Sequence, residues 1–151
     1  MATPEPEPAL FGDLLALSRR SWVRQMADGL SRRGYDDYRP TDAATFRHLL
    51  RGPTAVGRLD EVLGASRQAA RKVVEGLELR HYATTERDPH DARRLMVVLT
   101  PAGEGYARAV VDVIESLNQG LTRSVEPGDL AAARRVLLVV LAGEGNARTS
   151  G

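Results

Sequence analysis

Between Leu63 and Glu104 the periodicity of the chain changes twice, and this limits the folds open to it. "LGASRQAARKVVEGLELR", Leu63 to Arg80, repeats at helical period: Ala70, Val73, Val74 and Leu77 follow the i, i+3, i+4, i+7 spacing of one buried stripe. "HYATTER" and "RLMVVLT" then read as strands, the second with Leu95, Val97 and Leu99 on one face. Between them "DPHDA" has turn chemistry, because proline fixes φ and aspartate accepts local backbone hydrogen bonds. Thr100-Pro101 restarts a helix, an N-cap followed by proline at the first helical position. The segment is therefore helix, hairpin with a polar tip, helix.

The flanking segments read as helices. From Ala9 to about Arg33, Leu10, Leu14, Leu17, Trp22, Met26 and Leu30 recur at helical spacing, and Gly34 ends the run. "YDDYRP" has turn composition. Thr41 is the expected N-cap of a second helix, with Asp42 near its positive end and Phe46, Leu49 and Leu50 inward. It stops at Arg51-Gly52-Pro53. A short third helix fits Ala55 to Leu63, Gly64 supplies a left-handed turn, and Ser66 caps the fourth helix. A long helix is expected from Pro101 to about Leu121, and a last one from about Pro127 to Leu141, ended by Gly143. Aromatics are only 5% of residues, so Leu, Val and Ala must fill the core, which favours helices over a sandwich. The expected fold is mainly α with a small β-hairpin. Residues 1–8 are expected to be a disordered tail, and 9–145 a single domain.

Several function classes drop out. The 151 residues contain no cysteine, which excludes disulfides, cysteine-ligated zinc and iron–sulfur clusters. No apolar run approaches a membrane span, and "MATPEPEPAL" lacks the basic and apolar regions of a signal peptide, so a cytoplasmic protein is expected. His48, His81 and His90 lack metal-ligand spacing, and there is no nucleophile–base pair or phosphate-cradling glycine loop. Neither an enzyme nor a cofactor is expected. The net charge of +1 is uninformative, but residues 65–100, with seven basic and five acidic side chains, are the most positive part.

The fourth helix concentrates Arg67, Gln68, Arg71 and Lys72 in its first two turns, with no acid until Glu75. On residue types alone this could be an ordinary solvated face. Its setting argues otherwise. A short helix, a glycine turn, an amphipathic helix and a hairpin make a winged helix-turn-helix. The second helix of such a pair presents its N-terminal turns to the DNA major groove, where Arg and Lys donate to guanine and Gln pairs with adenine. The hairpin tip reaches the backbone or the minor groove, where arginine is favoured.

The run "SRQAARKVVEGLELRHYATTERDPHDARRLMVVLTPAGE" resembles the multiple-antibiotic-resistance regulator (MarR) family of bacterial transcription factors. The most specific part is "RDPHDARRLMVVLTPAG": Asp-x-Arg at the wing tip, a Val/Leu strand, then Leu-Thr-x-x-Gly opening the next helix. The resemblance implies a homodimer with intertwined terminal helices (9–34 and 101–145) and a DNA-binding lobe (41–100) on a pseudo-palindromic double-stranded site. By position, Ser66, Arg67, Gln68, Arg71 and Lys72 belong to the recognition helix, and Arg87, His90, Arg93 and Arg94 to the wing, which Asp91 helps to order. Two positions depart from the pattern: Ala92 stands where many relatives have arginine, and Arg80-His81 where many have Lys-Gly. The implied function is transcriptional regulation, as a repressor relieved by a small-molecule effector. Arg19, Trp22, Met26, Tyr35, Tyr38 and Phe46 are candidates for a cleft taking an aromatic or anionic effector, although Trp22, Met26, Tyr35, Tyr38 and Phe46 read first as packing residues. Leu10, Leu14, Leu15, Leu17 and "VLLVVL" exceed what a small winged domain buries alone, which also points to a dimer. The modest central charge leaves an alternative, a winged-helix interaction module without specific DNA binding.

Overall fold

The computed structural model describes residues 10–148, with side chains as far as Gly143. The tail expected over residues 1–8 lies outside the described residues. The elements are α1 (Phe11–Ser31), α2 (Asp42–Leu49), β1 (Thr54–Ala55), a 3-10 turn (Val56–Arg58), α3 (Leu59–Leu63), α4 (Arg67–Leu79), β2 (Ala83–Arg87), β3 (Leu95–Leu99), α5 (Pro101–Ser124) and α6 (Asp129–Arg148). This is the mainly α winged helix read from the sequence.

The helix-turn-helix forms for the reasons its sequence suggests. Gly64 ends α3 at φ 59°, a left-handed conformation that glycine enters without penalty. Ser66 is extended, and its Oγ accepts the Ala69 amide at 3.1 Å, satisfying an orphan donor of α4. Ala70, Val74 and Leu77 are buried along one stripe.

Other boundaries moved. The helix expected over 55–63 is divided: Thr54 and Ala55 pair with β3, so the sheet has three antiparallel strands in the order β1-β3-β2. Two residues are too few to show a period. Thr41 makes no side-chain cap; it is itself helical in backbone, and Asp42 reaches back to the Arg39 amide at 3.0 Å instead. Gly143 does not end α6, which runs on to Arg148. In β3, Val97 is fully buried, but Leu95 at the wing end is 46% exposed, where β3 borders an open groove beside α4.

Two compact units divide within α5, at Ile114 and Glu115. The first holds the core: Met26 and Leu30 of α1, Phe46 of α2, Leu59, Leu77, Val97, and Tyr106 and Val110 of α5 are wholly buried. In the second, Val136 to Leu141 are exposed within the chain, Val139 by 73% and Leu141 by 63%. The early turns of α1 likewise expose Leu10, Phe11, Leu14 and Leu17.

His81, between α4 and β2, has φ 60°. This is the position where Lys-Gly was the expected pattern, and a side chain there is held in a conformation that costs about 1–2 kcal/mol. His81→Gly should therefore raise stability by about 1 kcal/mol, the greater freedom of unfolded glycine offsetting part of the relief. The urea midpoint measures it; an unchanged or lower midpoint would mean that His81 is stabilised by contacts of its own.

Candidate nucleic-acid interface

The N-terminal turns of α4 and the tip end of the wing enclose an open groove of about 690 Å³. Arg67, Gln68 and Arg71 line it from α4, and Arg93, Arg94 and Leu95 from the wing. Arg58, from the turn before α3, completes it. Five guanidinium groups thus face one carboxylate, that of Asp60. Asp60 stands 3.7 Å from Arg67, whose side chain is 90% exposed, so the pair is worth little and leaves Arg67 free to exchange partners. Arg58 was not singled out from sequence. Its only signal is a basic residue directly after Gly57, in a stretch that reads as a helix start.

The remaining expected contacts are arranged around this groove. Lys72 is exposed on α4 but does not line it. Asp91 Oδ1 accepts the Arg93 amide at 3.0 Å, and Asp88 Oδ1 accepts the His90 amide at 2.9 Å, so both wing aspartates hold the turn. Asp88 also donates its amide to the Arg94 carbonyl, closing the hairpin. Arg87 folds back to the Ala92 carbonyl at 2.6 Å. Arg94 lies 3.9 Å from Asp88. Arg93 has no ion-pair partner among the described residues, which makes it the freest wing cation.

Behind α4 lies a buried polar cluster that sequence reasoning did not assemble. Asp42 accepts two hydrogen bonds from Arg80, at 2.8 and 2.9 Å, and one from the Tyr106 hydroxyl at 2.7 Å. Arg80 also donates to the Asp37 and Gly76 carbonyls. Tyr82 stacks on Tyr106, with ring centroids 4.5 Å apart, and donates to Asp37 at 3.1 Å. The Arg80 guanidinium lies 5.2 Å from the Tyr82 ring centroid, within cation–π range. Burial alone would lower the Arg80 pKa, but the hydrogen bonds and charge of Asp42 outweigh it and hold the group above its ordinary value. Burial and the bond to Asp37 push Tyr82 up to about 12. Burial and Asp42 raise Tyr106 as well. The cluster joins the start of α2, the end of α4, the root of the wing and α5, so it sets where the groove's two walls stand.

The expected effector cleft is only partly exposed. Met26 and Phe46 have no exposed surface and are core residues, not lining. Met26 lies one turn from Gly29, where α1 passes so close to α5 that an added Cβ would sit 2.7 Å from Val113. Phe46 packs edge-on against Tyr106 and Tyr82. Tyr35 packs edge-on against Tyr106 while staying part-exposed. Arg19 is exposed, and Trp22 and Tyr38 are half-buried. Tyr38 is raised in pKa by burial and by Asp42, with Arg19 opposing. Among the described residues no His/Asp/Glu group is arranged to hold a metal, and no helix is long and apolar enough to cross a membrane.

No protein-family profile matches the sequence, and no curated protein is similar to it in sequence. Solved structures are similar in fold. The transcriptional regulator PcaV from Streptomyces coelicolor, in complex with its natural ligand, superimposes with a TM-score of 0.72 at 20% identity, over 94% of this chain and 98% of that one. A mutant of MarR from E. coli complexed with operator DNA gives 0.72 at 19% identity, over 93% and 99%. The MepR–DNA complex from S. aureus gives 0.74 at 14% identity, over 89% and 98%. The chain therefore carries the winged-helix fold of the MarR-type transcriptional regulators across nearly its whole length.

Proposed function

We propose that this protein is a homodimeric, sequence-specific DNA-binding transcriptional regulator of the MarR type, a cytoplasmic repressor relieved by a small-molecule effector. The arginine-lined groove between α4 and the wing carries the reading. A solvated helix face has no reason to oppose arginines from two separate elements across one groove. Charges arranged in this way match a polyanion whose phosphates lie beside a readable base edge. Arg67, Gln68, Arg71 and Lys72 are the base- and phosphate-facing set, and Arg93 with Arg94 the wing contacts. Two copies on a pseudo-palindromic site would cover the apolar residues exposed on α1 and on α6. The structural resemblance to MarR and MepR bound to DNA, and to PcaV bound to its ligand, supports both partners. Release needs only an effector that prefers a dimer with its recognition helices wrongly spaced. It lowers DNA affinity by that preference. Of the cleft candidates, Arg19, Trp22, Tyr35 and Tyr38 keep the exposure that ligand contact needs.

Fluorescence anisotropy with the DNA upstream of the protein's own gene, against a scrambled duplex at two salt concentrations, tests the reading. Tight, salt-sensitive binding that prefers the native duplex is expected. A folded protein that binds neither duplex at either salt would be an interaction module instead. In the same assay Arg71→Ala should weaken specific binding by about 1–3 kcal/mol. Unchanged affinity would remove Arg71 from the contact set.

A further inference from the structure

We propose that Arg47 and Arg51, flanking His48 at the end of α2, form a second DNA-contact patch that grips the phosphate backbone outside the groove. This rests on the DNA-binding reading and adds a partner surface to it.

Arg47, His48 and Arg51 line a separate open depression of about 250 Å³, together with Ala44 and Val62. No carboxylate lines it. Arg47 and Arg51 are exposed, and neither joins an ion pair among the described residues. Both line this one depression, so two like charges stand on the same side of the chain, where they repel. The negative end of α2 favours a nearby cation, but that accounts for one charge rather than for two arginines and an imidazole around one depression.

The position of α3 supplies the occupant. Asp60 of α3 lines the groove, and Val62, two residues on, lines this depression, so α3 separates the two. When a helix-turn-helix docks, its second helix enters the major groove while the first crosses the backbone. The phosphates bordering the groove that takes α4 then pass α3 and meet the face where Arg47 and Arg51 stand. Guanidinium groups suit them, because their paired N–H donors match phosphate oxygens. Contacts of this kind position the protein and carry no sequence information. They differ in role from Gln68 and Arg71.

The test uses the full chain and a labelled random-sequence duplex, titrated over a range of salt concentrations. Each phosphate contact contributes about 0.9 to the slope of log affinity against log salt. Arg47→Ala/Arg51→Ala should make the slope shallower by about two and weaken binding about tenfold or more at 0.1 M salt. Arg47→Lys/Arg51→Lys should keep the wild-type slope. An alanine pair with wild-type slope and affinity overturns the patch and leaves the groove reading intact. Weaker binding with an unchanged slope overturns it too, since the arginines would then act on shape and not on phosphate. A wild-type protein that binds no duplex removes both readings together. If the alanine pair unfolds, Arg51→Ala alone, beyond the end of α2, decides the matter through a slope shallower by about one.

Discussion

Replacing Asp42 with alanine should destabilise the protein by about 3–5 kcal/mol, because it leaves a guanidinium enclosed without its carboxylate. The Asp42 side chain is 1% exposed and that of Arg80 10%. Both Arg80 terminal nitrogens, the Tyr106 hydroxyl and the Arg39 amide converge on the two Asp42 oxygens. Desolvation of the charges is repaid only while this geometry is complete. Asp37 lies 3.7 Å from Arg80 and can take up part of the charge, which places the expected loss toward the lower end. Urea denaturation measures it. Arg80→Met in the Asp42→Ala background should recover part of the loss, since it removes the unpaired charge. A loss below about 1 kcal/mol would mean that water reaches the pair, because exposed ion pairs are worth no more than that.

The same substitution should also weaken DNA binding, although none of the cluster lines the groove. Arg80 ends α4, and Tyr82 precedes the wing. The two walls of the groove are fixed through residues behind it. That division of labour explains how much the sequence shows. The recognition helix, its Ser66 cap, the Gly64 turn and the hairpin are local features, each with its own period or turn chemistry, and all can be read from residue order. Asp42 reads as a surface aspartate at a helix start. Nothing local reveals that Arg80 and Tyr106 close over it, because the three meet only after α2, α4 and α5 have packed. Met26 and Phe46 fail in the same way: a mixed stripe of aromatic and apolar residues does not say which members the packing will cover. Arg58 and β1 are missed because a 3-10 turn and a two-residue strand have no periodicity to detect. Arg80-His81, which departs from the expected Lys-Gly, proves to be a junction where the arginine ties the cluster and the histidine takes the left-handed backbone glycine would hold.

Gly103→Ala should cost about 3 kcal/mol or more, from the addition of one methyl group. A Cβ at this position would lie 1.8 Å from the Tyr82 carbonyl oxygen and 2.7 Å from its carbon. The obstacle is backbone, so no side chain can turn aside. That carbonyl also accepts the Thr100 amide at 3.0 Å, and Thr100 Oγ1 both donates to the His81 carbonyl at 2.7 Å and accepts the Gly103 amide at 3.0 Å. Relief of the clash requires α5 to retreat from the root of the wing, breaking bonds that cap the helix and anchor the hairpin. Tyr82 and Tyr106 would lose their stacking in the same movement. This is the physical reason for glycine in Leu-Thr-x-x-Gly: the wing root and α5 approach too closely for any side chain. Gly105→Ala supplies the contrast within the same turn. Its Cβ would meet only the Tyr35 hydroxyl at 3.6 Å, an ordinary contact, so the higher helix propensity of alanine should stabilise by up to about 1 kcal/mol. Denaturation midpoints of the two variants should therefore move in opposite directions. Equal small shifts would mean that α5 and the wing root slide past each other freely, and the groove between α4 and the wing would lose its fixed width.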